Sequence, residues 1–265
     1  MGDSLSIVNE VSFQEQHLDV HGVDTAVFTA GSGDPVVFLH GAGTATGFDC
    51  LLPIARDHRL IVAHHPGFGA SGDPAPSSVA DIARHQLDVL DALGIERFTL
   101  VGHSMGGWTA ATLASYSTAR IHRLVLAAPA GLASADHPIV DLASIPEQDV
   151  PSYLTADMSI FGPMDGPPPP EFLAARAREG ASWMSVISTD RPDTSGLGRW
   201  LHRIDVPTLI LWGDADRLIP VGQAAEWQAL LPRATVRTFA GAGHLLFDER
   251  ADAVEAISQF AGSPA

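Results

Sequence analysis

Gly102-His103-Ser104-Met105-Gly106 has the form G-x-S-x-G, directly after the apolar run FTLV and before the helix-forming stretch MGGWTAATLASYS. A strand that turns sharply into a helix holds the residue at the turn in a strained conformation and projects its side chain from the sheet edge. The residues two before and two after approach so closely that glycine is required. The turn exposes the Ser104 hydroxyl and aims the unpaired N–H groups of the helix start at the same place, where the helix dipole favours negative charge. That arrangement suits a serine nucleophile in acyl transfer.

Serine is a weak nucleophile without a base. The chain has 12 histidines, so context must choose among them. His244 lies in AGAGHLLFDE, directly after a strand ending near Ala240 and before the last helical segment. In a parallel sheet the loops leaving the strands share one edge, so His244 and Ser104 are expected to meet there. The base in turn needs a carboxylate to fix its tautomer and stabilise the imidazolium. The strand HRLVLAAP exits into Ala130-Gly131-Leu132, with no carboxylate before Asp136, whereas TLILWG exits into Asp214 and Asp216. The second exit is favoured, and both of its aspartates remain candidates at this point. The oxyanion calls for two backbone N–H donors: Met105, next after the serine, and Ala42 in His40-Gly41-Ala42-Gly43, on the loop after PVVFLHG.

The elements that must position these groups are legible as an alternation. FQEQHLDV and VDTAVFTA flank His21-Gly22 and predict a hairpin; PVVFLHG, RLIVAH, FTLVGHS, HRLVLAAP, VPTLILWG and ATVRTFAG predict further strands. Between them, residues 48–56 predict a short helix disturbed by Pro53. SSVADIARHQLDVLDALG puts Val79, Ile82, Ala83, Leu87, Leu90 and Leu93 on one helical face, behind a serine cap and before a glycine stop. Such a βαβα series predicts an α/β fold with a parallel sheet and helices on both faces. The alternation breaks from about residue 132 to 203, where a proline run and the helical stretch EFLAARAREGASWMSVIS stand in place of strands.

Composition removes several functions. The chain has 265 residues, 46% hydrophobic and 17% charged, enough to bury one large core. A net charge of −16 repels phosphate backbones and anionic membranes, so no nucleic-acid or membrane partner is expected. No apolar run approaches the roughly 20 residues of a membrane helix. The N-terminal stretch lacks a basic and an apolar region, and Cys50 is the single cysteine. Together these predict a cytoplasmic location. No metal-ligand spacing and no phosphate loop occurs, so no metal or other cofactor is expected. No heptad seam indicates an oligomeric state.

HGAG, HPGFGASG, GHSMGG, WGDADRLIP and GAGH, in that order, closely resemble the motifs of the α/β-hydrolase fold family. The similarity is to its capped bacterial branch of esterases and ring-cleavage-product hydrolases. The resemblance implies a mostly parallel eight-stranded sheet, with residues 1–131 and 204–265 as the core and 132–203 as a helical cap. By motif it assigns Ser104 as nucleophile, His244 as base and Asp216 as the acid. Reach agrees: Asp214 sits at the strand end, suited to bracing the turn or pairing with Arg217, while Asp216 lies further into the loop. Many relatives carry an aspartate just before H-P-G-F-G; this chain has His64, which with His65 is expected to support the loop. His40 is expected to brace the oxyanion loop and His103 to hydrogen-bond behind the nucleophile.

The cap is expected to wall a pocket for a small-molecule substrate. Its apolar candidates are Trp108, Phe161, Trp183 and Met184, with Phe172 and Ile187 besides; Arg176, Arg178 and Arg191 could clamp a substrate carboxylate. Three functions follow: a carboxylesterase-like serine hydrolase; a carbon–carbon hydrolase of vinylogous diketone acids; and a non-catalytic ligand receptor on the same scaffold. Relatives of the second kind often have asparagine where this chain has His103, which favours the first.

Overall fold

The structure, a computed structural model, describes residues 11–162, 166, 169–192 and 195–263. In chain order the elements are β1 (Gln14–Val20), β2 (Val23–Ala30), β3 (Pro35–Leu39), β4 (Arg59–Ala63), α1 (Val79–Ala92), β5 (Phe98–His103), α2 (Met105–Tyr116) and β6 (Ile121–Ala127). There follow α3 (Pro151–Leu154), α4 (Pro170–Thr189), β7 (Thr208–Gly213), α5 (Gln223–Leu230), β8 (Ala234–Phe239), α6 (Leu246–Glu249) and α7 (Ala251–Ala261). The eight strands form one sheet in the order β1-β2-β4-β3-β5-β6-β7-β8. β1 and β2 pair antiparallel, as do β2 and β4; β4-β3-β5-β6-β7-β8 are parallel. The hairpin between β1 and β2 turns at His21 and Gly22, both with positive φ (52° and 85°), as a tight two-residue turn requires.

Alternation along the strands divides the core in two. Val37 and Leu39, Ile61 and Ala63, Leu100, and Ile210 and Trp212 face one side; Val36 and Phe38, Leu60 and Val62, Val101, and Leu211 face the other. The first side is covered by α1, α2 and α5 through Val79, Ile82, Leu90, Trp108, Ala224 and Trp227. The second is covered by α7 and by the 3-10 helix Phe48–Arg56, through Leu51, Ile54, Val254 and Ile257. Pro53 sits inside that segment, where the sequence had predicted a disturbed helix. Strands covered on both faces read as continuous apolar runs, which is why β3, β4 and β5 were legible.

Between β6 and β7 the described residues contain no strand. Helix is concentrated in α4, with the one-turn α3 and several 3-10 turns beside it, so residues 128–150 are largely irregular rather than helical. Among the described residues no helix is long and apolar enough to cross a membrane.

Candidate active site

β5 ends at His103 and α2 begins at Met105, leaving Ser104 alone at the turn with φ 55° and ψ −118°. A non-glycine residue there stores on the order of 1–3 kcal/mol and persists only where its surroundings hold it. Here the Ser104 N–H donates to Ala127 O (3.0 Å), and Ser104 O accepts from Trp108 N–H (3.0 Å) and Ala130 N–H (3.1 Å). The two motif glycines are sterically required: a methyl on Gly102 would overlap the Gly106 carbonyl, and one on Gly106 the Leu39 carbonyl. Met105 is the first residue of α2, so its N–H is one that the helix itself leaves unpaired.

Asp216 and His244 come from neighbouring strand exits. β7 ends at Gly213 and β8 at Phe239, paired in register, and their loops are tied by Ala215 N–H donating to Ala242 O (2.9 Å). Asp216 Oδ2 lies 2.8 Å from His244 Nδ1. Asp216 Oδ1 accepts the N–H groups of Leu218 (2.9 Å) and Ile219 (2.8 Å). Both residues are buried, 6% and 3% exposed, so the pair is shielded from competing water. The Nδ1 contact leaves Nε2 as the ring nitrogen able to take a hydroxyl proton. Asp214 is exposed and accepts from Gly241 N–H (2.7 Å), bracing the β8 exit. Arg217 does not pair with Asp214; it donates to Ser152 and lies over the Tyr153 ring, 4.2 Å from its centroid.

His103 joins the two halves. Its Nε2–H donates to His244 O (2.8 Å) and its ring packs on the His244 ring, with centroids 4.9 Å apart. Burial, then the neighbouring His244, pushes the His103 imidazole down to about 3, so it stays neutral and cannot compete as base.

The loop opposite Ser104 is a tight turn over residues 41–44, closed by Thr44 N–H to Gly41 O (3.3 Å) and by Gly41 N–H to Thr44 Oγ1 (2.8 Å). A methyl on Gly41 would stand 3.3 Å from Ser104 Cβ, which measures how closely this turn faces the serine. His65 N–H donates to His40 Nε2 (3.0 Å). That nitrogen is therefore unprotonated, and His40 carries its hydrogen on Nδ1, donating to Gly41 O (2.8 Å). In a trans peptide N–H and C=O point opposite ways, so gripping Gly41 O fixes the direction of the Ala42 N–H. Gln86 on α1 extends the chain, donating to His65 Nδ1 (2.9 Å), while His65 Nε2–H donates to His40 O (3.2 Å). Burial first, then the neighbouring His65 and His64, holds His40 well below the ordinary range; burial pushes His65 down to about 3 and His64 to about 4. His64 accepts from Ala70 N–H (2.9 Å) and packs on Phe28 and Phe48. Gln86 carried no sequence signal beyond its place on the buried face of α1.

The predicted substrate-binding side chains divide. Trp108 is 1% exposed in the core beneath Gly131 and borders a cavity of about 140 Å³ with Thr112, Tyr116 and Trp200. Trp183 and Ile187 are half-buried. Phe161, Phe172 and Met184 face solvent, 42%, 48% and 58% exposed. Met184 sits two residues past buried Ser182, about 200° round the helix, so it turns outward. Arg176 and Arg178 are engaged by backbone carbonyls: Arg176 donates to Gly43 O (2.6 Å), Arg178 to Gly69 O (3.1 Å) and Ser71 O. Neither the 140 Å³ cavity nor one of about 350 Å³ beside Gly131 is lined by Ser104, Asp216 or His244.

The model of the alpha/beta hydrolase family matches residues 36–257, and the chain belongs to that family. An uncharacterised protein of Mycobacterium tuberculosis is 28% identical over 276 residues, covering 92% of this chain and 80% of that one. The 2-hydroxy-6-oxo-6-phenylhexa-2,4-dienoate hydrolase of Comamonas testosteroni is 28% identical over 255 residues, covering 84% and 85%. Among solved structures, an esterase from Exiguobacterium antarcticum superposes with a TM-score of 0.74 at 23% identity, over 94% of this chain and all of that one, a likeness of fold.

Proposed function

We propose that the protein is a serine hydrolase cleaving carboxylic esters of a small apolar or aromatic substrate, with Ser104, His244 and Asp216 as its catalytic residues. The observation that carries this reading is the buried Asp216–His244 contact of 2.8 Å, linked through His103 to the strained Ser104 turn. His244 Nε2 takes the Ser104 proton as Oγ bonds to the ester carbonyl carbon and the carbonyl pair moves onto oxygen. The Ala42 and Met105 N–H groups hold that oxyanion. Collapse expels the alcohol, protonated by His244, and leaves an acyl-serine. Water then gives a proton to His244, attacks the acyl carbon and releases the acid with free Ser104. Asp216 keeps the ring hydrogen on Nδ1 throughout. Residues 132–203 act as a cap over this edge, and the single cysteine suits a reducing, cytoplasmic setting.

A second reading, hydrolysis of a carbon–carbon bond in a meta-cleavage-type diketone acid, is favoured by the similarity to the Comamonas enzyme. A fluorophosphonate probe should label the wild type and not Ser104→Ala, and the same variant should lose about 10⁶ in kcat. An unlabelled wild type would leave a non-catalytic receptor as the better account. A much higher kcat/KM for a ring-fission product than for p-nitrophenyl butyrate would replace ester by carbon–carbon cleavage.

A further inference from the structure

α4 turns a polar face inward. Arg176, Glu179 and Ser182 recur every three residues, and Glu179 and Ser182 are 4% and 2% exposed. These side chains serve backbone groups of two loops. Ser182 Oγ donates to Gly67 O (2.8 Å), and Glu179 Oε1 accepts from Gly69 N–H (3.1 Å), whose carbonyl Arg178 engages. Arg176 alone among them reaches the turn facing Ser104. Its Nη1 donates to Gly43 O at 2.6 Å while Glu179 Oε2, 3.3 Å away, orients the guanidinium. A methyl on Gly43 would stand 3.2 Å from both Nη atoms, so the guanidinium points its Nη edge at that turn.

The turn over residues 41–44 is therefore gripped at both ends. His40 holds Gly41 O from within the core, and Arg176 holds Gly43 O from α4. Between the two gripped carbonyls lie the Ala42 and Gly43 N–H groups. A charged donor to a carbonyl is about twice as strong as a neutral one, and an error of about 1 Å in a positioned group can cost 10²-fold in rate.

We propose that Arg176 is a positioning residue: it ties α4 to the oxyanion turn, so the Ala42 N–H is set for catalysis only while α4 is seated. The proposal rests on the serine-hydrolase reading for its kinetic consequence, but the restraint on the turn does not. Its partner Glu179 supplies orientation through charge and anchorage through Gly69.

The test uses the full chain with R176M, R176K and R178M. R176M keeps the stem length and removes the donor. It should lower kcat on p-nitrophenyl butyrate about ten- to a hundredfold with KM changed by no more than about twofold. Affinity for a trifluoromethyl ketone, which adds to serine as a tetrahedral oxyanion, should fall by the same factor. R176K should recover most of both losses, since an ammonium can still donate to Gly43 O. R178M serves the other loop and should leave kcat within about twofold. Amide exchange at residues 41–44 should quicken about tenfold in R176M and stay unchanged in R178M. Wild-type kcat in R176M, equal kcat losses in R176M and R178M, or unchanged exchange at 41–44 in R176M would each overturn the proposal. Failure of the serine reading is seen separately, as wild-type protein that takes no label at Ser104, and the exchange measurement then still decides whether Arg176 restrains the turn.

Discussion

The edge of the sheet and the segment that follows β6 are held together by different means. At the edge, Ser104, Asp216 and His244 sit on short turns; Ser104 and Asp216 are tied by backbone bonds to the strands, and Asp216 and His244 are buried while Ser104 is half-buried. In the segment between β6 and β7, α4 directs Glu179 and Ser182 inward and leaves Phe172, Leu173 and Met184 in solvent, 48%, 52% and 58% exposed. One region is an apolar core with reactive polar groups set into it. The other buries Val186, Leu197 and Leu201 in that core and adds side chains of α4 that satisfy backbone polar groups of two loops. The turn at Ser104 rests on its own sheet, whereas the turn over residues 41–44 is gripped from α4 as well; a helix fastened by a few polar bonds can exchange its outward residues freely.

The largest test of this contrast lies within the edge itself. Asp216→Asn should lower kcat by about 10⁴, as loss of a tautomer-fixing acid does, whereas Asp214→Asn, which only braces Gly241, should stay within about threefold. Steady-state kinetics on the two variants decide it, and the reverse outcome would exchange their roles.

Acid should attack the edge before the cover. His40, His64, His65 and His103 are buried there with depressed proton affinity. Unfolded histidine takes up its proton near pH 6.5, while His64 resists until about 4 and His65 and His103 until about 3. Their neutral burial is therefore compatible with full stability above about pH 6.5, and stability is lost as pH falls below it, by about 1.4 kcal/mol per pH unit for each histidine. Urea midpoints at pH 7 and pH 5 measure this. A midpoint that does not move would mean that these rings are charged without cost.

The smallest effect is the same substitution placed in each region. Gly106→Ala would drive a methyl into the carbonyls of Leu39 and His40 and should destabilise by about 1–3 kcal/mol. Gly180→Ala on α4 meets no atom within 4 Å and should stabilise by up to about 1 kcal/mol through helix propensity. Thermal unfolding of the two variants should shift in opposite directions; a matching loss in both would show that α4 is packed as tightly as the elbow.

Much of this was legible in the sequence because local physics demanded it. Continuous apolar runs announced β3, β4 and β5, and the two glycines around Ser104 announced a turn where no Cβ fits. The apolar residues of the insertion divide: Val186 is buried and Trp183 and Ile187 half-buried, while others face solvent. Phe161, Phe172 and Met184 were expected to wall a pocket, yet they lie in solvent; on α4 the inward positions Glu179 and Ser182 serve amides and carbonyls of the loops beneath, which leaves Phe172 and Met184 outward. Arg176 and Arg178 were weighed as carboxylate clamps for the same reason of type, and they serve backbone carbonyls instead.

By itself the sequence determined the alternating architecture, the strained serine turn and the order of the strand exits, since these follow from side-chain periodicity and from the space a Cβ needs. It narrowed the acid to two aspartates and leaned to the second by reach and motif. Contact was decided by the tertiary structure, which puts Asp216 Oδ2 at 2.8 Å from His244 and sends Asp214 to Gly241. The grip of Arg176 on Gly43 is of the same kind, because it joins residues 133 positions apart. Contacts of that range depend on how loops cross an edge, which no local pattern encodes.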